Sequence, residues 1–260
     1  MPDPAVALID GHIALVAAVR ARLIDYLRAL WAGLGSYNRP DIERFAAAAA
    51  PVVAGAQIQA AALTDSYLAL YQQTVGRTAA RPVGIPRAVA TGGRGVPPLD
   101  LYQRPGPDIW GALKNGVDWG DAVDRGLTRA VSLAETDVQL AETHAARHHL
   151  TSSTNVVGYR RVLTGASSCG LCAVASTRRY HKRDLLPIHP GCDCKVAPIY
   201  EDRDPGQVIN RELADRLGQE ITDRFGDTTK GSYSNLVAVH QHGEIGPILT
   251  RKRDTFTTLA

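Results

Sequence analysis

Val156-Val157-Gly158-Tyr159-Arg160-Arg161-Val162-Leu163-Thr164-Gly165 is where the sequence changes its period. Before it, apolar residues recur at three and four, the spacing of one helix face. Within it, β-branched and aromatic residues crowd into a short run that ends at Thr164-Gly165, which reads as a strand and its turn. The chain therefore divides into a helical N-terminal half and a small β-containing module. The fold class that follows is α+β, mainly α.

Working back from Val156, one helix is predicted from about Trp119 to Leu150. Its buried face is Val123, Leu127, Val131, Ala134, Val138, Ala141 and Ala145. His144, His148 and His149 fall at its end, where cations suit the helix dipole. Farther back, Val16, Val19, Leu23, Leu27 and Leu30 mark a helix within 8–34. Pro40-Asp41 then opens another, whose face is Ile42, Phe45, Ala49, Val52, Ala56, Leu63, Tyr67 and Leu70. Proline at the start and an acidic first turn are helix-opening chemistry. Pro51 inside this pattern predicts a kink or a break. Six Pro and five Gly fall within residues 81–107. That segment reads as an extended connection without a core of its own.

Working forward, Asp204-Pro205 opens a further helix with Ile209, Leu213, Leu217 and Ile221, ending near Gly226. Leu236 to His240 and Ile245 to Leu249 read as short strands. The expected organisation is 1–80 helical, 81–107 the connection and 108–154 a long helix. A Cys/His module at 155–200 and a C-terminal helix with tail at 201–260 complete it.

Charge is concentrated in the module. Residues 151–200 hold seven basic side chains and two acidic ones, while 1–150 balance at fourteen of each. The whole chain of 260 residues carries a net +3, with 45% hydrophobic residues, enough to bury a core. No uninterrupted apolar run approaches the roughly 20 residues of a membrane span. Met1-Pro2-Asp3-Pro4 lacks the basic start of a signal peptide. The expectation is a soluble protein made in a reducing cytoplasm, with no membrane partner.

All four cysteines lie in the basic block. Cys169 and Cys172 form C-x2-C, and His189, Cys192 and Cys194 form H-x2-C-x-C. Two close ligand pairs on turns, joined by a loop, suit tetrahedral Zn²⁺. Five candidates compete for four places, so four thiolates and three thiolates plus an imidazole both stay open. Disulfides and free thiols are the alternatives to zinc. A bound Zn²⁺ here reads as structural, because no His-x-Glu or other general-base motif accompanies the cysteines. There is also no Gly-x-Ser-x-Gly and no phosphate-binding Gly-Lys-Ser.

Tyr159-Arg160-Arg161-Val162, Cys169-x2-Cys172 and Pro187-Ile188-His189-Pro190-Gly191-Cys192-Asp193-Cys194 together resemble the MuF-like minor capsid (head morphogenesis) proteins of tailed bacteriophages. That family ends its small α+β module in Pro-x-His-Pro-x-Cys-Arg-Cys, and here Asp193 replaces the usual Arg. The match covers about 155–200. The tail, with His242-Gly243-Glu244-Ile245-Gly246-Pro247, is similar to the version in phages of actinobacteria. The resemblance implies a virion protein synthesised in the host cytoplasm and packed inside the capsid near the portal. There it would assist head assembly or DNA packaging and delivery, with portal and capsid proteins as partners. The basic block adds a DNA contact through Arg160, Arg161, Arg178, Arg179, Lys182 and Arg183. A zinc-dependent nuclease or a nucleic-acid-binding module is the alternative reading.

Overall fold

A computed structural model describes residues 4–76, 78–163, 170–176, 178–188, 192, 194–201 and 237–251. Three long helices carry the fold: α1 (Pro4–Ala32), α2 (Arg39–Thr74) and α6 (Trp119–Ser152). In α1 the residues Ile9, Val16, Val19, Leu23, Leu27 and Trp31 are buried at the spacing the sequence showed. Asn38 caps α2 by accepting from the Asp41 N–H, with Pro40 in the first turn. The Asp41 carboxylate accepts in turn from the Ser36 N–H and hydroxyl and from the Tyr37 N–H. Those bonds hold it below the ordinary carboxylate range. Asp118 caps α6 in the same way, accepting from the Asp121 N–H.

The break expected at Pro51 is absent. The helix runs on through it, and Pro51 faces outward, so the ring disturbs no packed neighbour.

The extended reading of 81–107 is also corrected. The segment holds α3 (Arg87–Thr91), α4 (Pro98–Gln103) and the start of α5 (Pro105–Lys114). Pro98 and Pro105 each stand at the first position of a helix, where a missing N–H costs nothing. Proline at these positions starts helices instead of keeping the segment extended. Ala90, Leu101 and Tyr102 are fully buried against the long helices. Gly106 comes so close to Ile42 and Trp110 that a Cβ would lie 3.1 Å from both.

Downstream, β1 (Val156–Val162) is the central strand of an antiparallel sheet, flanked by β2 (Arg179–His181) and β3 (Lys195–Tyr200). Helix α7 (Gly170–Ser176) packs on β1. β4 (Val237–His242) and β5 (Gly246–Arg251) form a hairpin close to the two predicted runs, with Gly246 at φ +72° closing the turn. The C-terminal helix expected over Asp204 to Gly226 lies outside the described residues. The fold is mainly α with a small sheet module.

Two findings change how the parts relate. First, the module's sheet shares its core with the long helices, while a smaller cluster of Leu163, Leu171, Cys172, Val174, Ala175, Ile188 and Cys192 belongs to the module itself. Ala5 and Ile9 of α1, Tyr67, Leu68 and Tyr71 of α2, and Ala146 and Leu150 of α6 pack with Val156, Tyr159, Val162, Val196, Ala197 and Tyr200. The Tyr67 hydroxyl donates to the Val196 carbonyl at 2.8 Å. Second, α1 and α2 are long and apolar enough to cross a membrane by length and composition, although polar residues interrupt their apolar runs. Here both pack as core helices and bury polar groups, including His12, Gln57 and Asp65.

Candidate metal centre

Cys194 immediately precedes β3, Cys192 lies two residues earlier, and Cys172 sits on α7. The strand pairing of β1 with β3 and the packing of α7 on β1 bring them together. Cys172 Sγ lies 3.1 Å from Cys192 Sγ, which lies 3.3 Å from Cys194 Sγ. All three sulfurs fall within 4.8 Å of one another. They are too far apart for a disulfide, whose bond is about 2.05 Å. They stand close to the edge of a thiolate tetrahedron, about 3.8 Å for metal–sulfur bonds near 2.3 Å. The cluster could hold a metal ion. Cys169 and His189, the other two predicted ligands, lie outside the described residues.

The surroundings suit anionic sulfur. Arg161 Nη1 donates to Cys194 Sγ at 3.2 Å, and its Nη2 donates to the Leu186 carbonyl. Burial works against the guanidinium charge, but Cys194, Tyr159 and Cys192 outweigh it and raise its pKa. Hydrogen bonds from Cys172 and Cys192, with Arg161 beside them, hold Cys194 well below the ordinary thiol range. Cys192 is pushed up instead: a bond from Cys172 favours its thiolate, but its own donation to Cys194 and its burial prevail. One sulfur in the cluster is thus set to carry charge first.

The placement of Arg161 corrects its expected role as a DNA contact. It is 5% exposed and spent on the thiols. Arg160 and Arg179 are engaged within the chain, and Lys182 donates to the Ser153 carbonyl at 2.7 Å. Strand alternation explains the split. Arg161 falls on the same side of β1 as Tyr159, whose ring stacks on Tyr180 in the core, while Arg160 points the other way.

Sequence reasoning missed the charged hub behind the thiols. Glu142 on α6 is 7% exposed and accepts from Lys195 Nζ and from Arg20 Nη2 at 2.8 Å; His12 Nε2 lies 3.5 Å away. Burial alone would protonate this carboxyl, but Lys195, His12 and Arg20 hold it far below its usual range. Burial lowers His12 despite Glu142, so its imidazole is neutral at pH 7, stacked 4.6 Å from the Tyr67 ring. The signal was available: Glu142 sits four residues after Val138 and three before Ala145, a carboxylate inside an apolar stripe. Between this hub and the thiols lies a cavity of about 30 Å³, bordered by His12, Glu142, Arg161, Cys192, Cys194 and Lys195. His12 Nδ1 and Arg161 Nε are buried without a hydrogen-bond partner among the described residues.

The helix-end histidines take separate places. His149 is buried, its Nδ1 2.6 Å from Asp65 Oδ1, and Asp65 also accepts from the N–H groups of Val83 and Gly84. That is a structural clamp on the chain leaving α2. His144 borders an open groove with Gly93 and His242. A second ionic hub fastens the hairpin. Glu244 accepts from Arg94 Nη1 at 2.8 Å and from Arg104, and Arg94 also bonds Asp137.

No family model matches the chain, and neither a curated protein nor a solved structure matches it.

Proposed function

We propose that the chain is a minor structural protein of a tailed-phage head, and that its clustered thiols hold a structural Zn²⁺. The observation that carries this reading is the convergence of Cys172, Cys192 and Cys194 within the segment whose sequence resembles the MuF-like proteins. A catalytic zinc needs an open position and a free base. Among the described residues, Glu142 borders the cavity beside the cysteines, but it is occupied by Arg20 and Lys195 and is unsuited to that task. Arg161 donates to a ligand sulfur, the outer-sphere support that metal thiolates receive. In this reading the protein works inside the capsid, near the portal, and any phosphate contact falls to the exposed Arg183 and the half-buried Arg178 rather than to Arg161.

Two measurements test it. Metal analysis of protein purified without chelator is expected to give one zinc per chain. Mass spectrometry of purified virions against empty procapsids is expected to find the chain in both at low copy number. Absence from both particles would end the virion reading; a metal-free protein with unchanged folding would end the zinc reading.

A further inference from the structure

The cavity beside the thiols has no part in a purely structural staple. It is about 30 Å³, enough for one or two water-sized molecules. Its border includes Cys192 and Cys194 beside the ionisable side chains His12, Glu142, Arg161 and Lys195, with Leu68, Leu185 and Val196 among its apolar walls. It is a small chamber of mixed character, placed against cysteines. Cys172 is not among the bordering residues, yet among the described residues its sulfur is the one closest to Cys192, at 3.1 Å.

We propose that this is an oxidation site for hydroperoxides, in which Cys192 is oxidised from the cavity and Cys172 resolves it as a disulfide. Hydrogen peroxide is little larger than water and suits a chamber of this size with His12, Glu142, Arg161 and Lys195 on its border. Cys192 gives its proton to the Cys194 sulfur, to which it already donates at 3.3 Å, and the Cys192 sulfur so freed attacks one peroxide oxygen. An S–O bond forms and the O–O bond breaks, and the departing hydroxide takes a proton to leave as water. The sulfur loses two electrons to the peroxide and becomes a sulfenic acid. Cys172 then attacks that sulfur. The S–S bond forms, the S–O bond breaks, and the second hydroxide leaves as water with a further proton. Two thiols and one peroxide give one disulfide and two waters. Cys194 remains reduced, because a Cys192–Cys194 bridge would close a tight ring across one residue and because Arg161 holds its sulfur. Any ion on the cluster loses two of its donors and leaves. The staple thus changes from metal to covalent when the protein passes from a reducing to an oxidising setting.

Only the ion's release rests on the zinc reading; the thiol chemistry stands on the sulfur geometry and the cavity. The test treats the purified full-length chain with hydrogen peroxide. It follows intact mass, metal release to a chromogenic chelator, and tryptic peptides. Loss of two mass units is expected, with a reductant-sensitive link between peptides 162–178 and 184–195, forming faster than in the urea-unfolded chain. The link should persist in Cys169→Ser and Cys194→Ser proteins. In a Cys172→Ser protein a sulfenic acid should accumulate on Cys192 and be trapped by a 1,3-dione. A disulfide confined to 162–178, or oxidation no faster than in the unfolded chain, overturns the proposal. If the link forms but no ion is released, the zinc reading fails and the oxidation site stands. Absence of the chain from virions bears only on the capsid reading.

Discussion

Replacing Glu142 by Gln tests the hub that joins the helices to the thiol module. The amide keeps the shape but cannot balance charge. Lys195, 7% exposed, would then be left inside the protein without its Glu142 counter-ion, and the Arg20 guanidinium would lose one ionic partner. Removing one partner of a buried ion pair costs about 3–5 kcal/mol. In a domain of this size that is roughly 6–20 °C in Tm. The pH dependence gives a second handle. The folded carboxyl titrates well below its unfolded value of 4.5. Its contribution is therefore complete above that value and is lost as the pH falls from there toward the folded pKa. Urea unfolding followed by circular dichroism at pH 7 and at pH 3 measures both effects. The wild type should lose stability between the two, and the Gln variant, already weakened at pH 7, should lose less. A penalty under about 1 kcal/mol, the range of an exposed pair, would refute the claim that Glu142 joins the parts.

Four further outcomes follow from the packing. Gly126→Ala should cost about 1–3 kcal/mol by thermal unfolding, because its Cβ would sit 2.7 Å from both Ile109 and Trp31. Cys192→Ser should abolish metal binding and raise hydrogen exchange over 170–201, and also at the Tyr67–Tyr71 end of α2, since that core is shared. Arg161→Met should weaken metal retention against a competing chelator by roughly 10–100-fold while leaving helix content unchanged. Glu244→Gln should expose the 94–95 bond to trypsin, because the hairpin would lose its ties to Arg94 and Arg104.

The long helices were legible because their burial is periodic and their ends carry Asn38-Arg39-Pro40-Asp41 and Asp118 chemistry. The thiols were legible as candidates because C-x2-C and C-x-C are ligand spacings, but the meeting of Cys172 with Cys192, 20 residues on, depends on the fold. Other features were not, for physical reasons. Pro98 and Pro105 have the same local chemistry in a loop as at a helix start, and only tertiary burial of Leu101 and Tyr102 decides between them. Arg161 looked like one more basic surface residue, because nothing local says which side of a strand faces the core. Glu142, His12 and Lys195 are far apart in the chain, so their meeting depends on the fold.

The shared core has a consequence for how the chain is made. Ile9 packs in one cluster with Val196 and Tyr200, about three quarters of the described span away. At about 5–20 residues per second, the ribosome needs roughly 10–40 s after the tip of α1 appears before β3 emerges. Throughout that interval Ala5, Ile9, Tyr67 and Tyr71 have no sheet to cover them. The helical half can pair early, but its far end stays sticky until the last third of the chain arrives. A nascent chain stalled before residue 195 should therefore recruit a hydrophobic-segment chaperone such as a holdase, and release it once β3 has docked.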